Sequence, residues 1–375
     1  MRVPLTRDKF YSWRSALWRA RQGLGIVRRS AMRAYSGTLN EGRHTMKLLI
    51  TGAGGFVGAR LARGLLARGH LAGQPIASLV LTDQVPAPAD LRADPRVKDR
   101  TGPLLQQCAA LREDGLDGVF HLASAVSGEC EFDFDLGMRS NLDSTRALLD
   151  TLRAASIASG KVARLVFSSS VAVFGPDPSF KLPNLVGDDT LPAPQTSYGV
   201  QKLVCEHLIA DYTRKGFIDG RAARLMTVTV RPGKPNGAAS SFFSGVIREP
   251  LAGVEAICPV SDQVSHPVSS PANTVAGLIA VYEASRDAFG GRLAMNLPAL
   301  NVRVADMLDA LEEVAGSAVR ARVRFERDER IAGIVANWPG GATGARAARL
   351  GLKPDRNFAD IIRQYISDCK ASPGP

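Results

Sequence analysis

The stretch that decides the fold runs from Lys47 to Gly69 and reads KLLITGAGGFVGARLARGLLARG. It opens with a short apolar run that ends at Gly52. From Phe56 onward, apolar residues recur at helical spacing until Gly69, a residue that commonly ends helices. The stretch therefore predicts a buried strand, a tight turn and a helix, in that order.

Four glycines in the turn predict a phosphate-binding site, and these are Gly52, Gly54, Gly55 and Gly58. Because glycine has no Cβ, the backbone can bend sharply, approach a ligand closely and let the helix pack on the strand. A pyrophosphate placed there would meet unpaired amide hydrogens at the positive end of the helix dipole. Glycines alone are a weak signal, but the flanking strand and helix supply the context that a dinucleotide-binding motif requires.

The net charge of +11 is concentrated at the start of the chain. Residues 1–46 hold ten Lys/Arg and two Asp/Glu, so the rest of the chain carries 37 basic and 34 acidic side chains, a surplus of only +3. That part of the chain is not a basic surface and contains no recognisable nucleic-acid module. No apolar run approaches the roughly 20 residues that cross a bilayer. We therefore expect neither a nucleic-acid partner nor a membrane span.

Length and cysteine content indicate the general class of protein. The 375 residues exceed what one simple core usually holds, which predicts a large nucleotide-binding domain with a smaller second lobe. The cysteines are odd in number and lack the spacing of metal ligands, so we expect reduced thiols in an intracellular protein and no metal site. They are Cys108, Cys130, Cys205, Cys258 and Cys369.

Residues 1–45 precede the first predicted strand and allow two interpretations. The segment is rich in arginine and poor in acid, and its residues 33–36 (RAYS) are typical of the processing site of a mitochondrial presequence. Alternatively, Met46 is the true start and the leader is not translated, which is the interpretation we favour. Whether disordered, processed or untranslated, the leader is excluded from the predicted fold. We expect a cytoplasmic protein, or a matrix protein if the presequence is real.

A second buried strand is predicted from Ile76 to Thr82 and ends at Asp83. An acidic side chain at this strand tip can accept hydrogen bonds from ribose hydroxyls and would repel a 2′-phosphate. The pattern favours NAD over NADP as the cofactor. The alternative is an ordinary loop aspartate with no ligand.

The segment GVFHLA, residues 118–123, predicts the next buried strand. His121 within it is more typical of a packed structural histidine than of a catalytic base. Ser124 and Ser127 follow the carboxyl end of the strand, where open α/β sheets bind ligands. They are either contacts for substrate or cofactor, or ordinary loop hydroxyls.

A tyrosine and a lysine four residues apart form the candidate catalytic pair. Tyr198 and Lys202 share one face of a helix predicted from about Ser197 to Lys215. Tyrosine is a poor base at neutral pH, but a neighbouring ammonium stabilises the phenolate and brings its pKa toward the working range. Ser170, just past the end of a predicted strand, can orient the same substrate oxygen.

In this order, the glycine turn, Asp83, Ser170, Tyr198 and Lys202 resemble the extended short-chain dehydrogenase/reductase family, the NAD-dependent epimerases and dehydratases. The resemblance covers about residues 46–370. It implies an α/β fold, namely a Rossmann doubly wound parallel sheet with a smaller C-terminal substrate-binding lobe.

The resemblance also implies the division of the chain. We expect an NAD-binding domain in residues 46–236, which contains the catalytic residues, and a lobe mainly in residues 237–375. A segment near 293–297 is expected to return to the main sheet. By resemblance, the protein forms a homodimer built from the helices that contain Asn141 and Tyr198.

Site residues carry over from the family by position. The catalytic group is Ser170, Tyr198 and Lys202, supported by Asn141 on a helix predicted from about Leu136 to Ala155. Ser169 is the fallback for Ser170. The implied NAD contacts are Gly52, Gly55, Phe56, Val57, Gly58, Asp83, Leu122, Ala123, Ser124, Tyr198, Lys202 and Pro232. Pro103 replaces an aspartate that reaches the adenine in many members.

At two positions this chain differs from the dehydratases and epimerases of the family, and both differences bear on its activity. Dehydratases carry an Asp-Glu pair directly after the active-site hydroxyl, where this chain has Val171 and Ala172, so elimination is not expected. Epimerases hold the sugar with an asparagine at about the position of Lys234. A cation there suits a small carboxylated substrate better, with Arg231 and Arg248 as the alternative carboxylate ligands.

The resemblance thus implies an NAD-dependent dehydrogenase that oxidises the C2 hydroxyl of a small 2-hydroxy sugar acid, with Tyr198 as base. The expected substrate contacts are Ser127, Ser170, Lys234 and Arg231. A nucleotide-sugar 4-epimerase is the alternative enzyme. A non-catalytic dinucleotide-binding regulatory protein is the alternative of another class.

Overall fold

The glycine-rich stretch folds as its sequence predicts. Met46–Thr51 is a strand (β1), Phe56–Arg68 is a helix (α1), and Gly69 ends the helix in a left-handed conformation while its N–H donates to the carbonyl of Leu65. The computed structural model describes residues 45–233 and 238–371. Both interpretations of the leader, and the prediction for Lys234, therefore lie outside the described residues.

The described strands and helices follow in chain order. The further strands are His70–Leu71 (β2), Gln74–Asp83 (β3), Val97–Thr101 (β4), Gly118–His121 (β5), Arg164–Ser170 (β6), Leu185–Val186 (β7), Asp219–Leu225 (β8), Thr227–Val228 (β9), Ala256–Cys258 (β10), Ser265–Ser269 (β11), Met295–Asn296 (β12), Leu300–Arg303 (β13), Val323–Phe325 (β14) and Gly341–Ala342 (β15). The further helices are Ala89–Arg92 (α2), Leu104–Glu113 (α3), Ser127–Phe132 (α4), Phe134–Gly137 (α5), Ser144–Ser159 (α6), Ser197–Arg214 (α7), Phe242–Leu251 (α8), Pro271–Glu283 (α9), Arg286–Phe289 (α10), Val304–Ala315 (α11), Ser317–Arg320 (α12), Glu329–Val335 (α13), Ala345–Arg349 (α14) and Phe358–Ala371 (α15).

The central sheet has the predicted doubly wound order. Its parallel strands run β4, β3, β1, β5, β6, β8, β12 from edge to edge, and β2 adds an antiparallel pairing to β3. The chain order reverses between β1 and β5, which places the ligand-binding crevice at the carboxyl ends of these two strands. The predicted Rossmann class is confirmed.

Helices cover both faces of this sheet because successive side chains of each strand point to opposite faces. Leu48 and Ile50 of β1 belong to the core beneath α1 and α9. Leu49, between them, belongs to the core beneath α3, α6 and α7. The two cores hold β1 and the glycine turn rigidly at the centre of the molecule.

The C-terminal part of the chain builds a separate core beside the carboxyl end of the sheet. Its β11 pairs with β13 and β9, and β10 pairs with β14. Phe243 of α8, Met307 and Leu311 of α11 and Ile362 of α15 are fully or almost fully buried there. The segment at Met295–Asn296 instead joins the main sheet as β12, beside β8.

The helix that was predicted from Leu136 to Ala155 is not one regular helix. It consists of α5, a π-helical turn at Met138–Asp143 and α6. The wider π turn contains Asn141 and turns its side chain toward the interior, where it is buried. Such turns carry no propensity signal that separates them from α-helix in a sequence, and they often occur at functional sites.

Two glycines of α1 provide a matched test of the glycine turn. A Cβ on Gly58 would lie 2.2 Å from the carbonyl oxygen of Gly52, whereas a Cβ on the exposed Gly64 has no atom within 4 Å. We expect Gly64→Ala to raise the free energy of unfolding by about 0.5–1 kcal/mol because it reduces the freedom of the unfolded chain. Gly58→Ala should lower it by about 1–3 kcal/mol because the backbone must shift. Urea unfolding curves measure both, and equal effects would contradict this account.

Candidate active site

A cavity of about 270 Å³ lies at the carboxyl ends of the central strands. It brings together residues that are far apart in sequence and that come from both lobes. Of the predicted site residues, it is lined by Phe56, Val57, Leu122, Ser124, Ser127, Ser170, Tyr198, Lys202 and Arg231. Gly52, Gly55, Gly58, Asp83, Ala123, Asn141 and Pro232 lie outside this lining.

The glycine turn has the features that a dinucleotide requires. Gly52 has a φ of 74°, and a Cβ there would lie 2.7 Å from the backbone nitrogen of Ala123. No side chain caps the N-terminus of α1, and its first turn contains no acidic residue, so its amides remain available to an anion. Asp83 accepts a hydrogen bond from the Gly54 amide at 2.9 Å, which fixes the carboxylate beside the turn. These residues fit the pyrophosphate and a ribose of a dinucleotide.

Tyr198 lies in the cavity near Ser170 and Lys202. Thr196 caps the N-terminus of α7 by accepting from the Gly199 amide at 3.1 Å, and this presents Tyr198 in the first turn. Burial raises the pKa of the Tyr198 phenol to about 12, while a hydrogen bond with Ser170 and the charge of Arg231 oppose that rise. Without ligands, the tyrosine is therefore protonated, and the phenolate expected from the sequence is not the resting state.

Lys202 is buried one turn further along α7. Its Nζ donates to the Ser168 carbonyl at 2.8 Å and lies 5.5 Å from the centre of the Tyr198 ring. Burial lowers the pKa of this ammonium to about 8. Lys202 thus ties the catalytic helix to β6, and it keeps its positive charge at neutral pH, below that pKa.

The two candidate serines have different roles. Ser169 is buried and donates to the Glu206 carboxylate at 2.5 Å. Glu206 also accepts two hydrogen bonds from the buried Arg224, at 2.9 and 2.8 Å. Ser170 instead accepts from the Ala172 amide at 3.1 Å and reaches the Tyr198 hydroxyl. The geometry favours Ser170 over the fallback Ser169 as the hydroxyl that serves the substrate.

Asn141 organises the loop that follows β5. Its Oδ1 accepts from the Ala125 amide at 2.8 Å and from the Ser124 hydroxyl at 3.0 Å. Its Nδ2 donates to the side-chain oxygen of Gln201 on α7 at 2.8 Å. The asparagine therefore couples this loop to α7, and the supporting role that the resemblance implied stays a prediction.

The predicted cations near the substrate end have different surroundings. Arg231 is half-buried, and its guanidinium donates to the Val228 carbonyl at 3.0 Å and the Ser240 hydroxyl at 2.8 Å. Arg248 is buried and already bonds the Arg231 carbonyl and the Glu249 carboxylate. Arg231 lines the active-site cavity, whereas Arg248 lines a neighbouring one. The structure thus places Arg231, but not Arg248, in the cavity that contains Tyr198.

The C-terminal lobe adds cavity residues that the sequence reasoning missed. They include His266, Ile334 and Trp338. A tryptophan followed by Pro339 and two glycines, in a loop after a short helix, is an unusual local pattern. Nothing in its spacing indicates that it lines the same cavity as Tyr198, because that position depends on how the lobe packs.

Two buried histidines affect stability rather than proton transfer. His121 bonds the hydroxyls of Thr51 and Thr145 at 2.7 and 2.8 Å, which confirms its structural character. His266 bonds the Thr227 hydroxyl at 2.7 Å. Burial lowers the pKa of each imidazole to about 3. Both rings are therefore neutral wherever the protein is folded near neutral pH.

Because the unfolded imidazole titrates near 6.5, the unfolded chain binds more protons than the folded chain between pH 6.5 and about 3. Stability is therefore complete above pH 6.5 and is lost as the pH falls, by about 2 kcal/mol for each buried histidine at pH 5. Between pH 7.5 and pH 5, we expect the free energy of unfolding of His121→Gln to fall by about 2 kcal/mol less than that of the wild type. His207→Gln, on the exposed face of α7, is the control and should retain the full difference. An unchanged difference in His121→Gln would contradict the burial of a neutral ring.

Two further observations concern residues 45–233 and 238–371 as a whole. In these ranges, no helix is both long enough and apolar enough to cross a membrane. Three or more potential metal ligands do not cluster anywhere in the same ranges.

Comparison with known proteins places this geometry in a family. Residues 48–263 match the NAD dependent epimerase/dehydratase family. A D-erythronate dehydrogenase of Cupriavidus necator is 49% identical over 329 residues, which cover 86% of this chain and 98% of that protein. A D-erythronate dehydrogenase of Haemophilus influenzae is 42% identical over 323 residues, which cover 86% and 99%.

A solved structure gives the same result for the fold. The nucleoside-diphosphate-sugar epimerase of Agrobacterium tumefaciens is 40% identical, with a TM-score of 0.82, and the match covers 87% of this chain and 95% of that one. The chain therefore belongs to the NAD dependent epimerase/dehydratase family, the extended short-chain dehydrogenase/reductases, as its sequence predicted. The family description names a nicotinamide dinucleotide as the cofactor. Its two relatives make the chain an oxidoreductase that acts on a CH–OH group.

Proposed function

We propose that this protein oxidises the C2 hydroxyl of D-erythronate to the 2-oxo acid with NAD. The names of the two relatives support this substrate. The segments Glu131–Asp143 and Val230–Gly253 also resemble D-erythronate dehydrogenase. A cavity of about 270 Å³ has room for a short acid.

The observation that carries the proposal is the lack of a carboxylate partner for the Arg231 guanidinium among the described residues. Its guanidinium is half-buried in the cavity that holds Tyr198, and among the described residues no carboxylate lies within ion-pair distance of it. By contrast, the buried Arg224 and Arg248 are both paired with glutamates. Burial lowers the pKa of Arg231, so its charge is partly desolvated, and the guanidinium's partners among the described residues are neutral oxygens. A substrate carboxylate would supply the missing partner, and Lys234 remains the alternative ligand.

The residues of the chain then have defined tasks in the oxidation. NAD, when bound, supplies the acceptor for the hydride that leaves C2. Ser170 and Tyr198 hold the C2 hydroxyl between them, and the phenolate oxygen of Tyr198 takes its proton. Lys202 stabilises the negative charge on that oxygen before the proton arrives, and Arg231 favours it only until the substrate carboxylate pairs with the guanidinium. Arg231 also orients the substrate by its carboxylate.

Asp83 supports NAD rather than NADP. Its two carboxylate oxygens accept from the Gly54 amide at 2.9 Å and the Gln84 amide at 2.6 Å, so the side chain is held at the tip of β3. A 2′-phosphate would be placed against a fixed negative charge, whereas ribose hydroxyls can donate to it. A loss of NAD preference in Asp83→Asn would agree with this role.

By resemblance, we propose a homodimer built from the helical segment that contains Asn141 and from α7, which contains Tyr198. Two apolar side chains one turn apart on α7, Val200 and Val204, are 46% and 38% exposed, which supports a covered face there. Sedimentation velocity of the purified protein would reveal the oligomeric state, and a monomer at micromolar concentration would contradict the proposal.

A nucleotide-sugar 4-epimerase is the second candidate, because the Agrobacterium structure carries that kind of name. An epimerase regenerates its NAD within each cycle, so it would retain the cofactor through gel filtration and would convert UDP-galactose with no net NADH. A regulatory protein without chemistry is the third possibility. It predicts that Tyr198→Phe has no effect on the pathway that the protein serves.

The experiment that tests the proposal measures NADH formation by the protein beginning at Met46. D-Erythronate, L-threonate, D-threonate and UDP-galactose are each offered with NAD and with NADP. We expect turnover of D-erythronate with NAD and a loss of about 10²–10⁴-fold in kcat for Tyr198→Phe, because proton transfer is removed while the ring remains. Inactivity toward all three acids would overturn the substrate assignment.

The role of Arg231 is tested with an acid and its neutral amide. We expect the wild type to prefer D-erythronate over D-erythronamide by about 10²-fold in kcat/KM, since a buried charge pair is worth a few kcal/mol. Arg231→Gln should abolish that preference, whereas Arg324→Gln, on the exposed strand β14, should retain it. If Arg231→Gln lowers activity toward acid and amide equally, the arginine is only structural. If Lys234→Gln alone abolishes the preference, Lys234 holds the carboxylate.

A further inference from the structure

Two side chains of the C-terminal lobe separate the active-site cavity from its neighbours. Ile334, in α13, lines the active-site cavity and both adjoining cavities, of about 390 and 630 Å³. Trp338, just after α13, lines the active-site cavity and the 390 Å³ cavity. We call this smaller neighbour the outer cavity; it is also lined by Phe174, Gln195 and Asn337. Ile334 and Trp338 therefore form a partition with open space on both sides.

The partition is held in place from the lobe side. The Trp338 ring lies 5.1 Å from the ring of His266, which stacks on Phe243 at 4.9 Å with the ring planes 10° apart. His266 is fixed in turn by the hydroxyl of Thr227. Asp328 caps α13 by accepting from the amides of its first turn at 2.9 and 3.0 Å. The partition is thus a packed wall rather than a loose loop.

Opposite the partition, the boundary between the active-site cavity and the outer cavity is formed by residues that contact or support the proposed catalytic groups. Ala172 and Thr196 line both the active-site cavity and the outer cavity. Ala172 donates to Ser170, and Thr196 caps the helix that carries Tyr198. The distance between the partition and the reacting hydroxyl is therefore set by rigid parts on both sides.

We propose that Ile334 and Trp338 limit the chain length of the substrate. The inference rests on the proposed function, in which Tyr198 fixes C2 and Arg231 fixes the carboxylate. With these two points anchored, the remaining carbons of the acid must end before the partition. A four-carbon acid is accommodated within the cavity of about 270 Å³, and longer acids of the same configuration meet the indole and the isoleucine side chain.

Removal of the indole tests the partition because it would join the active-site cavity to the outer cavity. The substrates are D-erythronate, D-ribonate and D-allonate, which keep the same configuration at C2 and C3 while the chain lengthens by one carbon at a time. We expect the wild type to discriminate by about tenfold or more in kcat/KM for each added carbon. In Trp338→Ala, the ratio of kcat/KM for D-ribonate to that for D-erythronate should rise by about tenfold or more.

Three further variants make the test independent of folding defects. Ile334→Ala opens the same boundary from another position and should raise the same ratio, whereas Trp338→Phe keeps an aromatic wall and should change it least. Phe325→Ala removes an aromatic ring that is 53% exposed on the same lobe and lines none of the three cavities. It should leave the ratio unchanged. Thermal unfolding confirms that each variant is folded before its activity is compared.

The outcomes separate the partition from the proposed function. A raised ratio in both Trp338→Ala and Ile334→Ala supports the partition. Wild-type oxidation of D-erythronate together with an unchanged ratio in both folded variants would overturn the partition and leave the proposed function standing. Absence of wild-type oxidation of all three acids would overturn the proposed function, and the inference with it.

Discussion

One buried ion pair holds α7, the helix that carries Tyr198 and Lys202, against the central sheet. Glu206, on α7, receives two hydrogen bonds from Arg224 of β8 and one from Ser169 of β6, and all three side chains are at most 5% exposed. Loss of either partner would leave an uncompensated charge in the interior, which typically costs about 3–5 kcal/mol. Lys202 adds a second tie, to the Ser168 carbonyl. These contacts hold α7 against β6 and β8, and the proposed chemistry depends on the resulting separation of Tyr198 and Ser170.

The glycine turn brings the start of α1 close to β1 in a comparable way. Gly52 and Gly58 allow backbone contacts that no side chain would permit, so α1 and the loop after β5 approach β1 closely. The turn and the end of β6 lie at the same edge because all the strands between them are parallel. The proposed cofactor contacts and the proposed catalytic residues therefore lie at one edge of the sheet without any long loop to bring them together.

The sequence predicted the parts of the site that follow from local rules. The strand, turn and helix around Gly52 have a clear period, and a tyrosine and lysine four apart must share a helical face. The rest depends on tertiary packing. The π turn at Asn141 looks like ordinary helix in the sequence, and Ser169 and Ser170 differ only in which way the strand end turns. Trp338 and His266 reach the cavity through the docking of the C-terminal lobe, which no spacing encodes.

In the proposed mechanism, the charges in the cavity explain why substrate and cofactor must both be bound before Tyr198 can accept a proton. Burial raises the pKa of Tyr198 to about 12 and lowers that of Lys202 to about 8. The resting site therefore holds a neutral phenol beside an ammonium and a guanidinium that has no carboxylate partner among the described residues, with His266 also neutral. An acid that binds to Arg231 removes one of the charges that favour the phenolate, so its carboxylate alone would make Tyr198 a weaker base. In the proposed mechanism, the positive ring of oxidised NAD restores that balance, so the site disfavours the phenolate form of Tyr198 until the full complex has formed.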